Sequence, residues 1–265
     1  MKKKIIKKVV IKVGSSLIAN YKTGLPKLSW INSFVKDLNF LIKKKIKIII
    51  VSSGAIAIGR KRIGLLKNKL TLDEQQAAAA VGQIYLINNY KKSFGQGKEI
   101  SQVLLTLDDT TNMEKKTNAK KTLNKLIEKN VIPIINENDT VATDEIKFGD
   151  NDRLSARVAE MIKADLLILL SDVYGLYDKD PKKSRKAKLI KEVKTIDKSI
   201  IKASSYTNNN FARGGMKTKI MAAKIATNAG CGMIIVNGNS KNIIQKIFKG
   251  EEGTYFYPKK RKKNN

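Results

Sequence analysis

The stretch Ile5 to Val13, IIKKVVIKV, is followed at once by Gly14-Ser15-Ser16. A β-branched run of this length fits a buried strand, and its abrupt end in small and hydroxyl residues fits a strand that opens into a polar loop. The signature recurs. Ile46 to Val51 ends in Ser52-Ser53-Gly54, Val131 to Asn136 runs into Glu137-Asn138-Asp139, Leu166 to Leu170 ends in Ser171-Asp172, and Met233 to Val236 ends in Asn237-Gly238; a further run covers Gln102 to Thr106. Between these runs, helical spacing covers Trp30 to Lys44, Leu72 to Tyr90, Ala119 to Lys129, Arg153 to Ile162 and Thr218 to Asn228. Such alternation predicts an α/β chain with a mainly parallel, open central sheet covered by helices. Ligands of open parallel sheets bind outside the carboxyl ends of the strands, so one polar rim is the expected site.

Composition narrows the chemistry. With 265 residues, 42% of them hydrophobic, the chain can bury the core of one large α/β domain or two joined lobes. Its N-terminus is too charged for a signal peptide and no run of about 18 apolar residues occurs, so a soluble cytoplasmic protein is expected, with no membrane partner. A single cysteine, Cys231, excludes an intrachain disulfide framework, and the absence of histidine removes the usual zinc ligands and the usual neutral-pH base. Chemistry is left to Lys, Asp, Asn, Ser and backbone. The net charge of +30 invites a nucleic-acid reading. The 46 lysines and 7 arginines are nevertheless scattered beside abundant Ile and Asn, residues of A/T-rich codons, and no aromatics interleave with a basic stripe. A nucleic-acid function is therefore not expected. The Lys-rich stretch Lys179 to Lys194 reads as a hairpin or loop, and 259–265 as a basic, disordered tail.

Neither GxxxxGK[ST] nor GxGxxG is present. Lys12 sits near the end of the first strand, before Gly14 and two hydroxyl residues whose N–H groups can face an anion; an exposed edge position is the alternative. In GGMKTKIMAAKIATNAG, Gly214 to Gly230, paired glycines open an Ala-rich helix that Gly230 closes. Such a start accepts a phosphate, and Lys219, one turn in, can reach the same anion, although an ordinary loop has the same look. The densest polar segment is IPIINENDTVATDEIKFGDNDRLSA, Ile132 to Ala156. Its Asn138, Asp139, Asn151 and Asp152 suit an ammonium-bearing substrate or the alignment of lysines, with helix capping by Asp150 or Asp152 the alternative. In LLILLSDVYGLYDKDP, Leu166 to Pro181, the strand end Ser171-Asp172 followed by Tyr174 and Tyr177 suits a nucleoside, or is a plain turn.

The blocks VVIKVGSSL, SSGAIAIG, AAVGQ, IINENDTVAT, FGDNDRLSA, LLSDVYGLYDKDP and GGMKTK, in this order and spacing, resemble the glutamate 5-kinase branch of the amino acid kinase family over nearly the whole chain. The resemblance implies the amino acid kinase fold, an αβα sandwich, in a single domain over 1–258, with a glutamate-binding lobe over about 1–163 and an ATP-binding lobe over about 164–258. It implies ATP-dependent phosphorylation of the side-chain carboxylate of L-glutamate to L-glutamyl 5-phosphate, the first step of proline biosynthesis. By the same resemblance Ser53, Asp139 and Asn151 touch glutamate, with Gly54 and Asn136 close by. Lys12 and Lys219 lie on the phosphates; Ser171, Asp172 and the run Arg213, Gly214, Gly215, Met216, Lys217, Thr218 and Lys219 match the nucleotide stretches. Asp152 matches the acid that holds the two lysines, and Mg²⁺ would bridge the ATP phosphates with no protein metal site.

The partners implied are a glutamyl phosphate reductase downstream, proline as feedback inhibitor and a second copy of the chain in a dimer or tetramer, for which Leu72 to Tyr90 with Ala77 to Val81 is the candidate surface. Two features depart from the pattern. The chain stops soon after its last apolar segment, which implies the kinase domain without the RNA-binding-like C-terminal domain of many relatives, and Arg213 stands where the family often has Thr. Acetylglutamate kinase, a silent amino-acid-binding regulator and a nucleic-acid-binding protein remain the alternatives.

Overall fold

The computed structural model describes residues 5–67, 69–141, 151–205 and 215–259. Its strands are β1 (Lys8–Val13), β2 (Lys47–Ser52), β3 (Ile100–Leu105), β4 (Ile132–Glu137), β5 (Leu166–Ser171), β6 (Glu192–Val193), β7 (Gly232–Asn237) and β8 (Thr254–Phe256). They form one eight-stranded sheet in the order β3-β4-β2-β1-β5-β7-β8-β6. From β3 to β7 neighbouring strands are parallel; β8 turns antiparallel to β7 and carries β6 parallel to itself. The six runs read from sequence are β1 to β5 and β7. The edge reading of Lys12 is wrong, because β1 lies between β2 and β5 and Lys12 is 7% exposed.

The helices are α1 (Ser15–Ile18), α2 (Leu28–Lys43), α3 (Ala55–Arg62), α4 (Leu72–Phe94), α5 (Leu107–Thr111), α6 (Met113–Glu128), α7 (Asn151–Met161), α8 (Lys198–Ser205), α9 (Met216–Asn228) and α10 (Ile243–Lys249). They cover both faces of the sheet, and the alternation of side chains along each strand decides which residue meets which layer. Val9, Ile11 and Val13 of β1 pack with α2, α3, α4 and α10, where Ile31, Phe34, Leu38 and Leu41 form the apolar stripe of α2. Val10 of β1 packs on the other face with Ile49, Val51, Ile135, Leu154 of α7 and Ile220 of α9. Lys12 is two residues from Val10, and that register turns it toward α7 and α9.

One contact between helices needs glycine on both sides. A Cβ on Gly59 of α3 would lie 1.8 Å from the carbonyl oxygen of Ala78, and a Cβ on Gly82 of α4 would lie 1.8 Å from that of Ala55. The two backbones therefore touch, and α4 is drawn over the carboxyl ends of β2 and β4. Residues 179–191 form turns, joined by a single antiparallel bridge between Tyr177 and Leu189, before the chain reaches β6. This is a loop returning to an edge strand. Gly230, in the left-handed region at φ 72°, follows the end of α9 as expected. Among the described residues no helix is long and apolar enough to cross a membrane. The basic tail, apart from Lys259, lies outside the described residues.

Candidate active site

The polar rim expected from the strand ends is present. Gly14 follows β1 and its N–H donates to the Leu170 carbonyl of β5 (3.0 Å); Ser53 follows β2 and donates from its N–H to Val13 of β1 (3.1 Å); Gly238 follows β7 and donates to Ser171 (2.8 Å). Adjacent parallel strands thus end at one level, and the chain leaves them on one side of the sheet.

At its centre lies a charged group of three. The Lys12 ammonium is 2.7 Å from Asp152 Oδ1 and the Lys219 ammonium 3.0 Å from Asp152 Oδ2, with side-chain exposures of 9%, 1% and 5% for Lys12, Asp152 and Lys219. Thr218 Oγ1 donates a further hydrogen bond to Asp152 Oδ2 at 2.9 Å. Burial alone would push the Asp152 carboxyl up; the two ammonium groups more than reverse this and hold it well below the usual carboxylate range. The aspartate is thus held in its ionised form between the two lysines. Helix capping by Asp152 is excluded, since its oxygens are committed to Lys12, Lys219 and Thr218. Capping by Asp150 concerns a residue outside the described ones.

Beside it runs a chain of amides. Asn151, the first residue of α7, donates from Nδ2 to Ser53 Oγ (2.8 Å) and to Asn136 Oδ1 (3.0 Å), with the Ser52 carbonyl at 3.4 Å. Asn136 at the end of β4 donates from Nδ2 to Gln83 Oε1 of α4 at 2.8 Å. Ser52 Oγ lies 3.1 Å from the hydroxyl of Tyr90, a buried phenol whose pKa burial pushes up. Asp139, buried, opens the short 3₁₀ turn Asp139–Val141. Gly54, at φ 108°, begins α3 with Ile18 Cγ2 3.0 Å from where a Cβ would stand. Sequence reading brought together Ser53, Asn136 and Asn151 but overlooked Gln83 and Tyr90. The signal was present as a lone glutamine after the small-residue run AAAAVG.

At the start of α9, Gly215 caps the helix and faces open space, Thr218 Oγ1 shares its one hydrogen between Asp152 Oδ2 and the Gly215 carbonyl (2.8 Å), and Lys217 is exposed. Met216 is buried in the core. Ser171 Oγ donates to Asp172 Oδ1 at 3.1 Å, and Asp172 and Tyr174 are exposed. Arg213 and Gly214 lie outside the described residues. Among the described residues no group of three or more acidic or cysteine side chains is placed to hold a metal ion, and the oxygens of Asp152 already have partners.

The model of the amino acid kinase family matches residues 7–237. The chain belongs to the amino acid kinase family. Among similar amino acid kinases is a protein of Pelagibacter ubique named glutamate 5-kinase, 49% identical over 252 residues that make up 95% of this chain and 68% of that protein. A second glutamate 5-kinase, of Clostridium tetani, is 48% identical over 96% of this chain and 95% of its own length. Solved structures share the amino acid kinase fold: the carbamate kinase of Giardia lamblia bound to AMP-PNP superposes with a TM-score of 0.68 at 17% identity, over 96% of this chain and 99% of that one. An isopentenyl phosphate kinase superposes with a TM-score of 0.63 at 15% identity, covering 94% and 99%. The α/β reading from sequence is thereby borne out.

Proposed function

We propose that the chain transfers the γ-phosphoryl group of ATP to the side-chain carboxylate of L-glutamate, giving L-glutamyl 5-phosphate and ADP. The observation that carries this reading is the buried Lys12–Asp152–Lys219 group at the strand ends, next to the amide chain of Ser53, Asn136 and Asn151; the names of the relatives above supply the substrate.

The carboxylate is a competent nucleophile at neutral pH, so a site without histidine suffices. One of its oxygens forms a bond to the γ-phosphorus while the bond to the β,γ-bridging oxygen breaks and ADP leaves with that electron pair. No proton moves. Catalysis then rests on alignment of the two substrates and on charge opposite the transferring oxygens. Lys12 and Lys219 supply that charge. Each donates an N–H to Asp152, and Asp152 fixes both before the nucleotide arrives, so little reorganisation accompanies transfer. The start of α9 at Gly215 adds backbone N–H groups to the phosphates. Magnesium would come with ATP rather than from a protein site and would supply neutralising charge at the phosphates.

In this reading the part of the chain over about 1–163 receives glutamate at Ser53, Gly54, Asn136, Asp139 and Asn151. The part over about 164–258 receives ATP at Ser171, Asp172 and the run from Arg213 to Lys219. The acyl phosphate formed is labile and calls for a reductase that consumes it in proline biosynthesis, with proline the natural feedback inhibitor, in a cytoplasmic homo-oligomer.

The test is ADP release by the purified protein with Mg-ATP and L-glutamate, with hydroxylamine to trap acyl phosphate and N-acetylglutamate and aspartate in parallel. Hydroxamate from glutamate alone is expected. Turnover of N-acetylglutamate instead would overturn the substrate, and no turnover with any of the three would overturn the kinase reading in favour of a silent amino-acid-binding regulator.

A further inference from the structure

The AAVGQ block contributes nothing to the chemistry described so far, yet its last residue, Gln83, stands at the end of the amide chain. Asn151 Nδ2 has the Ser52 carbonyl within 3.4 Å. A backbone carbonyl can only accept, so reversing the Asn151 amide would set its oxygen against the Ser52 carbonyl, and its NH₂ faces Asn136. Asn136 is then obliged to turn its oxygen to Asn151 and its NH₂ away, onto Gln83 Oε1 at 2.8 Å. Each amide sets the polarity of the next. Gln83 is the acceptor that closes this sequence, and it is 7% exposed.

Gln83 Nε2 and Asn151 Oδ1 are both buried with no hydrogen-bond partner. Gln83 could satisfy neither itself nor Asn136 better by turning over, because its NH₂ would then meet the NH₂ of Asn136. Its orientation is dictated by the chain, and the chain in turn depends on its oxygen. The position of Gln83 is equally determined, since the preceding Gly82 lets α4 touch α3 and so brings the glutamine onto the end of β4.

We propose that Gln83 is a positioning residue for the amino-acid substrate, acting through Asn136 to hold the Asn151 amide and Ser53 hydroxyl in the orientation that receives it. This rests on the glutamate reading above. Without the Gln83 oxygen, the Asn136 NH₂ has no acceptor, Asn136 turns, and the donor–acceptor pattern at Asn151 is scrambled. The lysines and the α9 terminus are untouched.

Steady-state kinetics on wild type, Gln83→Met, Asn136→Ala and the double variant test this. Gln83→Met is expected to raise KM for glutamate about tenfold, the scale of one buried polar group left unpaired, with KM for ATP within about twofold. Added to Asn136→Ala, Gln83→Met should change KM for glutamate by less than about twofold, because the path is already cut. Should Gln83→Met fail to fold, Gln83→Asn withdraws the acceptor by one methylene while keeping an amide, and carries the same expectation. Additive effects in the two backgrounds, a parallel rise in KM for ATP, or an unchanged KM for glutamate would each overturn the role of Gln83 while leaving the glutamate reading intact. Absence of glutamate turnover by the wild-type chain would overturn both.

Discussion

Lys12 and Lys219, one from a central strand and the other from a helix near the far end of the chain, hold opposite oxygens of the same carboxylate, that of Asp152. The carboxylate keeps two like charges side by side in a buried place.

The first prediction concerns that carboxylate. Asp152→Asn keeps the shape and removes the charge, leaving two buried ammonium groups facing each other. A loss of about 3–5 kcal/mol is expected, the range for breaking a buried pair, together with a loss of kcat. Urea unfolding at pH 7 measures the first and the coupled ADP assay the second.

The same group makes stability depend on pH. Its folded pKa is depressed, so it contributes stability that is fully present above the ordinary value of 3.8 and is lost as pH falls toward the lower folded value. The Tm difference between wild type and Asp152→Asn should be level above about pH 5 and shrink below about pH 4. A difference that grows on acidification would contradict the ion-pair assignment.

Removing one lysine should act on the rate. Lys219→Ala is expected to lower kcat by roughly 10²–10³, by analogy with loss of one preorganised donor, with KM for glutamate changed far less. Near-normal turnover would remove Lys219 from the chemistry.

Gly82→Ala places a methyl 1.8 Å from the Ala55 carbonyl oxygen, so α3 and α4 must separate. Destabilisation of about 1–3 kcal/mol or more is expected from overpacking. Because the shift moves Gln83 and Gly54, KM for glutamate should rise with it; equilibrium unfolding and kinetics on one preparation separate the two effects.

Asp37→Ala provides the contrasting case. The buried Asp37 carboxylate of α2 accepts from the Ile244 N–H (2.6 Å) and Gln245 Nε2 (3.2 Å), fastening α10 to α2 away from the strand ends. A loss of about 1–3 kcal/mol with kcat and both KM values unchanged is expected.

Much of this architecture is legible in the sequence, for identifiable reasons. Strands buried on both faces are continuous β-branched runs, and their polar ends mark the site without any knowledge of pairing. Helix α2 shows its apolar stripe openly. Helix α3, AIAIGRKR, does not: Gly59 lowers its helical propensity, and small residues and the buried Arg60 blur the periodicity, because what the helix needs is close approach and not an apolar face. The edge strands β6 and β8 hold two and three residues, too few for a pattern. Lys12 looked ambiguous because a strand does not reveal its neighbours, and only the order of strands shows it enclosed. Gln83 escaped notice because its role is set by Asn136, Asn151 and a backbone carbonyl that lie far from it in sequence.

The place of β1 in the sheet has a consequence for synthesis. Its partner β2 is made early, but its other neighbour, β5, follows more than a hundred residues later. Until the ribosome has delivered β5, the nascent chain exposes β1 as a bare edge, and an apolar edge of this kind invites pairing with other chains. The charge of Lys12, still without Asp152 and Lys219, stands near the end of that edge and opposes such pairing. The residue that later pairs with Asp152 thus guards the unfinished sheet first.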